Sequence, residues 1–370
     1  MTTTLPFFPD DLFESDRAVT LDLIRRVGGA NEQKFILGAA VARLEETIAG
    51  DTGARHVIAC GSGTGALTLA VHATGAGPGD EVVVPAFCCQ PVASTVANRG
   101  ATPVFADIDP WTLVLDPGSA EQAITPRTRA IMPAHVFSVM ADMPSFEDIA
   151  RRRGLRLIED AAVAQGAVLD GRPSGTWGDL GVFSFFQVKA LGTIGEGGVV
   201  LTDDDELGAS VRRLRNHGQS SRFVHTEIGY NSRMDEVVAE FLLHRYDLFA
   251  QRLQRRADIA AYYTEQFADL RDDGLLPPPA GMNGRCYYVY AVLTDRRDAL
   301  RDHLAARGVG THVYYPLPLP SQPAFAKFAR GMTFPNAVAA GRRNLALPIW
   351  PHLTDAEVEH IATSVREFHR

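Results

Sequence analysis

The chain has 370 residues, a mass of 40.1 kDa and 46% hydrophobic residues, so it can bury a large core and is expected to form more than one domain. Its formal net charge of -8 at pH 7 argues against sequence-independent nucleic-acid binding, which depends on clustered Lys and Arg. The first residues lack the charged and apolar regions of a secretory signal, and no apolar run approaches the length of a membrane span. We expect a cytoplasmic protein with neither a nucleic-acid nor a membrane partner.

Cysteine is sparse, with four residues in the chain: Cys60, Cys88, Cys89 and Cys286. They form no Cys-x-x-Cys pair, and four in 370 residues do not make a disulfide framework. The histidines are scattered, and no group of His and Cys has the spacing of metal ligands. We therefore expect no bound metal.

The first predicted elements are helices, because apolar residues recur at helical spacing between residues 19 and 50. A short strand (residues 56–60), a turn of small residues (61–65) and a helix starting at Ala66 follow. Such a turn binds anions, because unpaired backbone N–H groups and the helix dipole both point at it. The sequence therefore predicts a phosphate site at this turn.

The same turn permits a second interpretation, since Gly61-x-Gly63-x-x-Ala66 fits the loose form of the dinucleotide-binding fingerprint. That fingerprint requires an acidic residue about 20 positions later, at the end of the next strand. Here the next strand pattern ends in Pro85. Nicotinamide binding is therefore the weaker interpretation of the turn.

Strand and helix patterns then alternate along the chain. We predict strands at residues 82–84, 102–107, 129–133 and 155–160, with helices around 92–97 and 143–152. Repeated βα units of this kind predict the α/β class, with a mostly parallel sheet between helices.

Two side chains near predicted strand ends carry the candidate chemistry. Asp160 ends an apolar strand pattern, where open α/β sheets place their ligands. Lys189 lies between aromatic residues and a glycine-rich turn, 29 positions later (189 − 160), which is about one strand-crossover-strand unit. A buried lysine can form an imine and an aspartate can hold a pyridinium nitrogen, as pyridoxal phosphate (PLP) chemistry requires. The alternative is an ordinary surface lysine at a strand end.

The character of the sequence changes near residue 235. A long helical pattern, an Arg-rich helix, a strand at residues 287–292, a helix ending near Gly308, a Pro-rich loop at 315–323 and a final helix from Thr354 follow. These elements predict a smaller α+β domain. We expect a large domain at residues 1–245 and a small C-terminal domain at residues 246–370.

Short motifs occur in a characteristic order along nearly the whole chain. They include GTGAL (63–67), GDEVVVPAF (79–87), TPVF (102–105), EDAA (159–162), Lys189 with GEGG (195–198), RNHG (215–218) and GYNSRMDE (229–236). With these motifs the chain resembles the DegT/StrS-type sugar aminotransferases. These are PLP enzymes of the aspartate-aminotransferase fold (fold type I), with a large PLP-binding domain and a smaller C-terminal one.

The resemblance implies roles for individual residues. Lys189 would hold the cofactor as an imine and then move the proton, while Asp160 would pair with the pyridine nitrogen. The enzymes of this family build each active site across a homodimer. The residues implied for the phosphate are Gly63, Thr64 and Ser184, together with Asn231 of the neighbouring subunit.

Several positions depart from the family pattern. Cys89 stands where an aromatic ring usually stacks on the cofactor, and Val163 stands where a polar group usually reaches the ring oxygen. Both positions belong to the expected cofactor site. Histidines are common in the family where this chain has Tyr314 and Pro320. As substrate contacts we consider four residues in loops near the crevice: His135, His312, Tyr314 and Gln322.

The predicted function is transamination from an amino-acid donor, glutamate or glutamine. The predicted acceptor is a keto-sugar, for which a nucleotide-linked form is favoured, or a cyclitol ketone. Such a reaction belongs to secondary-metabolite or cell-surface sugar biosynthesis. Two alternatives stay open. One is a PLP-dependent dehydratase or lyase, against which Lys189 argues, because the sugar-dehydrating relatives have histidine there. The other is a non-catalytic regulatory relative that keeps the fold.

Overall fold

A seven-stranded sheet forms the centre of the protein in the computed structural model, which describes residues 5–30, 34–137, 139–329 and 331–369. The strands in chain order are β1 (His56–Cys60), β2 (Glu81–Pro85), β3 (Thr102–Ala106), β4 (Thr128–Ile131), β5 (Arg156–Asp160), β6 (Val168–Leu169), β7 (Arg172–Pro173), β8 (Leu180–Ser184), β9 (Gly198–Thr202), β10 (Gln219–Ser221), β11 (Val224–His225), β12 (Tyr290–Leu293) and β13 (Asn344–Leu347). The sheet has the order β1-β9-β8-β5-β4-β2-β3, and the other strands form separate pairs.

Helices connect these strands. In chain order they are α1 (Arg17–Gly29), α2 (Ala39–Thr52), α3 (Gly63–Ala73), α4 (Pro91–Asn98), α5 (Pro117–Gln122), α6 (Met143–Arg153), α7 (Asp205–Leu214), α8 (Glu236–Tyr246), α9 (Phe249–Gln266), α10 (Arg297–Ala306), α11 (Pro335–Arg343) and α12 (Asp355–Phe368).

The sheet is parallel apart from β9, which runs antiparallel to both of its neighbours, β1 and β8. Every residue of β2 is buried, which is typical of a parallel strand covered on both faces. The predicted α/β class with a mostly parallel sheet is confirmed. Because parallel strands end at a common edge, the segments that follow β1, β2, β4, β5 and β8 all emerge on the same side of the sheet.

Local signals in the sequence set several helix ends. Ser62 begins α3 by accepting a hydrogen bond from the Gly65 backbone N–H at 2.9 Å. Thr354 and Glu357 form a capping box at the start of α12. At the end of α6, Gly154 takes a left-handed conformation with φ of 65°, which glycine adopts without steric cost.

A second apolar core lies apart from the sheet, among α9, α10, α12 and the antiparallel pair β12–β13. Leu5 joins it by pairing with Val309. The predicted strand at residues 287–292 starts later, at Tyr290, and α11 and β13 were not predicted. The boundary between residues 245 and 246 stays a prediction. Within the described residues, no helix is long and apolar enough to cross a membrane.

Candidate active site

A cavity of about 480 Å³, counting the space that opens to solvent, lies where the parallel strands end. Asp160 at the end of β5 and Lys189 after β8 both line it, so the predicted pair faces one space. Its lining residues are Cys88, Cys89, His135, Val136, Phe137, Asp160, Ala162, Val163, Lys189, Tyr288, Val289, Tyr314 and Tyr315.

Asp160 is 3% exposed, and its carboxylate takes part in few hydrogen bonds. Its Oδ1 accepts from the Ala162 backbone N–H at 3.1 Å, and within the described residues Oδ2 has no hydrogen-bond partner. Burial raises the pKa of this carboxyl group, whereas the Ala162 N–H and the Lys189 cation act in the opposite direction. The site therefore offers an uncommitted carboxylate oxygen to a positively charged group.

Lys189 follows β8 in a turn that its own N–H closes by donating to the Phe186 carbonyl at 2.8 Å. Its Nζ lies 4.8 Å from the centre of the Tyr288 ring. Burial lowers the pKa of the Lys189 ammonium, and the negative charges of Cys89 and Asp160 only partly oppose this. A lowered pKa makes the neutral, nucleophilic amine available.

His135 supports the base of the cavity. Its Nε2 lies 2.8 Å from Glu159 Oε1, and its Nδ1 accepts from the Ala141 backbone N–H at 3.0 Å. Because Nδ1 is an acceptor, the ring carries its proton on Nε2, which donates to the carboxylate. Glu159 is fully buried and also accepts from the backbone N–H groups of Gly175 and Trp177. Both nitrogens of the histidine are thus engaged inside the protein.

The turn between β1 and α3 meets the end of β8. A Cβ at Gly63 would lie 2.5 Å from Ser184 Cβ and 2.6 Å from Ser184 Oγ, so only glycine fits there. The cradle formed by Gly63, Thr64 and Ser184 therefore consists of the backbone N–H groups at the start of α3 and the end of β8 packed against them. This combination suits a phosphate group.

Cys88 and Cys89 follow β2 and lie side by side. The Cys88 thiol donates to Cys89 Sγ at 4.0 Å. This contact raises the pKa of Cys88, with burial adding to the effect, and it lowers the pKa of Cys89. The other two thiols differ, because burial raises the pKa of Cys60 and of Cys286 to about 12.

The other predicted residues divide into two groups. Val163 and Tyr314 line the cavity, whereas His312 and Gln322 do not. The exposed His312 ring lies beside Phe7, with 4.9 Å between ring centres. Asn231 is exposed, and its Oδ1 accepts from Arg233 Nε at 3.0 Å.

Two tyrosines of the cavity, Tyr288 and Tyr315, were not predicted. Tyr288 precedes β12, and Tyr315 belongs to the Pro-rich loop. Their rings come from the second part of the chain and complete a site whose charged groups come from the first. The only available signal was the density of tyrosine at residues 287–290 and 314–315.

Comparison with known proteins agrees with this geometry. The sequence model of the DegT/DnrJ/EryC1/StrS aminotransferase family matches residues 22–366. The chain belongs to this family. The predicted resemblance, the enzyme class and the dependence of this aminotransferase on PLP are thereby confirmed.

Relatives of this family member are similar over most of their length. A UDP-N-acetyl-3-dehydro-alpha-D-glucosamine 3-aminotransferase of Acidithiobacillus ferrooxidans is 41% identical over 336 residues, which cover 91% of this chain and 90% of the relative. A pleiotropic regulatory protein of Geobacillus stearothermophilus is 40% identical over 340 residues, 91% of each chain. The crystal structure of Streptomyces venezuelae DesV in complex with a ketimine intermediate has a TM-score of 0.94 and 38% identity, covering 100% of this chain and 99% of that one.

Three features of the site in this aminotransferase fit PLP. The cradle at Gly63 has the backbone N–H donors of a helix N-terminus, and the absence of a Cβ lets Ser184 pack directly against them. Asp160 Oδ2 is free to accept from a protonated ring nitrogen. Lys189 has a lowered pKa and reaches the same cavity.

Proposed function

We propose that this chain transfers an amino group from glutamate or glutamine to the ketone of a nucleotide-linked sugar or a cyclitol. The observation that carries the proposal is the shared cavity of Asp160 and Lys189. Relatives with names such as the UDP-linked 3-aminotransferase support a nucleotide-linked acceptor.

PLP supplies, when bound, an aldehyde that reacts with amines and a ring that withdraws electrons. Asp160 would accept a hydrogen bond from the protonated ring nitrogen and keep that proton in place. Lys189 would hold the cofactor through its Nζ. Once the donor's amine has displaced it, the freed Nζ would accept the proton from the α-carbon of the donor, and it would return a proton in the half-reaction with the ketone. Burial favours the neutral amine that the proton-accepting role needs.

The cradle residues Gly63, Thr64 and Ser184 bind the phosphate in this proposal. Cys89 and Val163 contact the ring, while His135 holds the cavity wall through Glu159 and Tyr314 contacts the substrate. The rings of the tyrosines that line the cavity exclude water from the proton transfer.

Lys189→Ala tests the central assignment. The chain contains three lysines, at positions 34, 189 and 327, so exposed Lys327→Ala is a matched control. We expect the control to keep the yellow absorbance of the lysine-bound cofactor and full turnover, and Lys189→Ala to lose both. Borohydride reduction of the wild type followed by peptide mass mapping should place the cofactor on residue 189. A label at another lysine would refute the assignment.

The acceptor can be identified with a panel of nucleotide-linked keto-sugars and keto-inositols. Each is incubated with glutamate or glutamine, and the products are read by mass spectrometry. We expect one class to gain the amine. Elimination products in place of amines would favour the dehydratase or lyase alternative.

We further propose a homodimer in which Asn231 of the partner subunit contacts the phosphate. The segment around β10–β11 supports this, because Phe223 is 78% exposed and Ile228 is 91% exposed. Several large apolar side chains exposed within one short segment, with Val224 between them at 52%, indicate a surface that another protein covers. Sedimentation of Phe223→Asp with Ile228→Asp should give monomers, whereas Ala306→Asp, at an exposed small residue of α10, should leave the dimer intact. A double variant that stays dimeric would contradict the proposal.

The division into domains at residues 1–245 and 246–370 and a cytoplasmic location are also proposals. The separate apolar core among α9, α10 and α12 supports the first. The free state of all four cysteines supports the second, since disulfides are rare in reducing compartments.

One observation favours a second candidate function. The relative from Geobacillus stearothermophilus is named as a regulatory protein, and this chain lacks an aromatic ring at Cys89. A purified protein that stays colourless after addition of PLP would support a regulatory role and refute the enzyme.

A further inference from the structure

Three ligand-type side chains meet on one wall of the cavity. The Sγ atoms of Cys88 and Cys89 and a carboxylate oxygen of Asp160 all lie within 4.8 Å of one another. The two sulfurs are 4.0 Å apart. Cys88 and Asp160 are buried and Cys89 is partly exposed to the cavity, so the group is held by the fold and still reachable.

The spacing suits a tetrahedral metal ion. Zn²⁺ binds thiolate sulfur at about 2.3 Å, so two sulfurs on the same ion lie about 3.8 Å apart. The distance between the cysteine sulfurs is close to this value. A carboxylate oxygen binds Zn²⁺ at about 2.0–2.2 Å, and Asp160 Oδ2 has no competing hydrogen bond among the described residues. A fourth ligand would come from the cavity, which Lys189 also lines.

The other two thiols of the chain lack such partners. Cys60 Sγ contacts the Ser62 carbonyl, and Cys286 Sγ contacts the Gln165 carbonyl. Neither belongs to a group of ligand atoms within the described residues. The chain thus carries its own matched controls for the reactivity of a buried cysteine.

We propose that, in the cofactor-free chain, Cys88, Cys89 and Asp160 form a binding site for a thiophilic divalent metal ion such as Zn²⁺. The site uses the carboxylate that would hold the ring nitrogen of PLP. The metal ion and PLP therefore exclude each other. This exclusion rests on the proposed function, whereas the metal site itself does not. Binding releases the thiol protons to solvent and forms two metal–sulfur bonds, without oxidation or reduction.

Cobalt titration tests the site. The full-length, cofactor-free chain is titrated with Co²⁺, which replaces Zn²⁺ and gives a sulfur-to-cobalt absorbance band. We expect one ion per chain, displaced by Zn²⁺. Cys88→Ser and Cys89→Ser should each weaken binding at least tenfold, whereas Cys60→Ser and Cys286→Ser should bind as the wild type does. Absence of the band, or a band that survives in the first two variants, would overturn the site.

A measurement on the wild type avoids reliance on variants that misfold. Bound Zn²⁺ should protect Cys88 and Cys89 from alkylation, as mapped by peptide mass, and leave any labelling of Cys60 and Cys286 unchanged. Equal labelling of all four with and without metal would refute the proposal.

Competition tests the exclusion. A chain loaded with PLP should bind no Co²⁺, and removal of the cofactor should restore the band. A chain that holds PLP and Co²⁺ together would refute the exclusion. If the chain binds no PLP at all, the proposed function fails, and the cobalt titration still decides the metal site.

Discussion

Glu236 at the start of α8 ties the N-terminal helices to the rest of the protein. Its carboxylate is 4% exposed and accepts from the backbone N–H groups of Gly38 at 2.7 Å, Ala40 at 2.8 Å and Val41 at 3.2 Å. Helix α2 has no side-chain cap of its own. The carboxylate therefore caps a helix that begins nearly 200 positions earlier in the chain. Its negative charge also interacts favourably with the positive end of the dipole of that helix.

Glu236→Gln keeps the shape of the side chain and removes the charge. The amide oxygen can still accept from Gly38 and Val41, which share Oε1, but the amide nitrogen then faces the N–H of Ala40. Losing a hydrogen bond to a charged group costs about 1.5–3 kcal/mol, and an unpaired buried N–H adds to this. We expect the free energy of unfolding to fall by about 2–4 kcal/mol.

Urea unfolding of the holoenzyme, followed by circular dichroism at fixed protein concentration, measures this loss. With a slope of about 3 kcal/mol per molar urea, the midpoint should fall by about 1 M. Glu240→Gln is the matched control, since Glu240 lies one turn further along α8 and pairs with the half-exposed Arg43. Its loss should stay under about 1 kcal/mol. Equal midpoints for the two variants would refute the capping role.

Two further outcomes follow from the structure. Gly63→Ala places a methyl group against Ser184, so the dissociation constant of PLP should rise at least tenfold, which is about 1.4 kcal/mol of binding free energy. Gly77→Ala, whose methyl group meets open space, should bind PLP normally. Equal dissociation constants for the two variants would contradict the cradle. For Cys60, burial raises the pKa from 9.0 to about 12, so above pH 9 the unfolded chain loses a proton that the folded chain keeps. The free energy of unfolding therefore falls as pH rises. Between pH 8 and pH 10, the value measured by urea unfolding should fall by about 1.4 kcal/mol less for Cys60→Ala than for the wild type. Identical pH profiles for the wild type and Cys60→Ala would disprove this.

Elements with strong local signals were predictable from sequence. The predicted strand at residues 56–60 coincides with β1, and the predicted helix at 143–152 nearly coincides with α6, whose ends are marked by Asp142 and Gly154. In contrast, α11 and β13 are short and adjoin without a turn signal between them. The strand β13 is defined by its pairing with β12, about 50 positions earlier, which no local pattern reveals.

The residues of the active site also differ in whether local sequence signals predict them. Asp160 and Lys189 could be predicted, because Asp160 ends a strand and Lys189 follows one, and both strand ends are visible in the sequence. Tyr288 and Tyr315 lie 99 and 126 positions beyond Lys189 (288 − 189 and 315 − 189) and reach the cavity only when the second part of the chain docks on the sheet. His312 is directed by its packing against Phe7, which again depends on tertiary contacts.

The position of β1 in the sheet has a consequence for biosynthesis. Among the described residues its one neighbour is β9, so the 137 residues between them (197 − 60) must be made after β1 is complete before its partner begins to emerge. At about 5–20 residues per second, this takes roughly 7–27 seconds. Throughout that interval the apolar segment at residues 57–60 is an unpaired strand on a growing chain, and unpaired strands recruit other strands. We expect chaperones that bind nascent chains to act on this segment first.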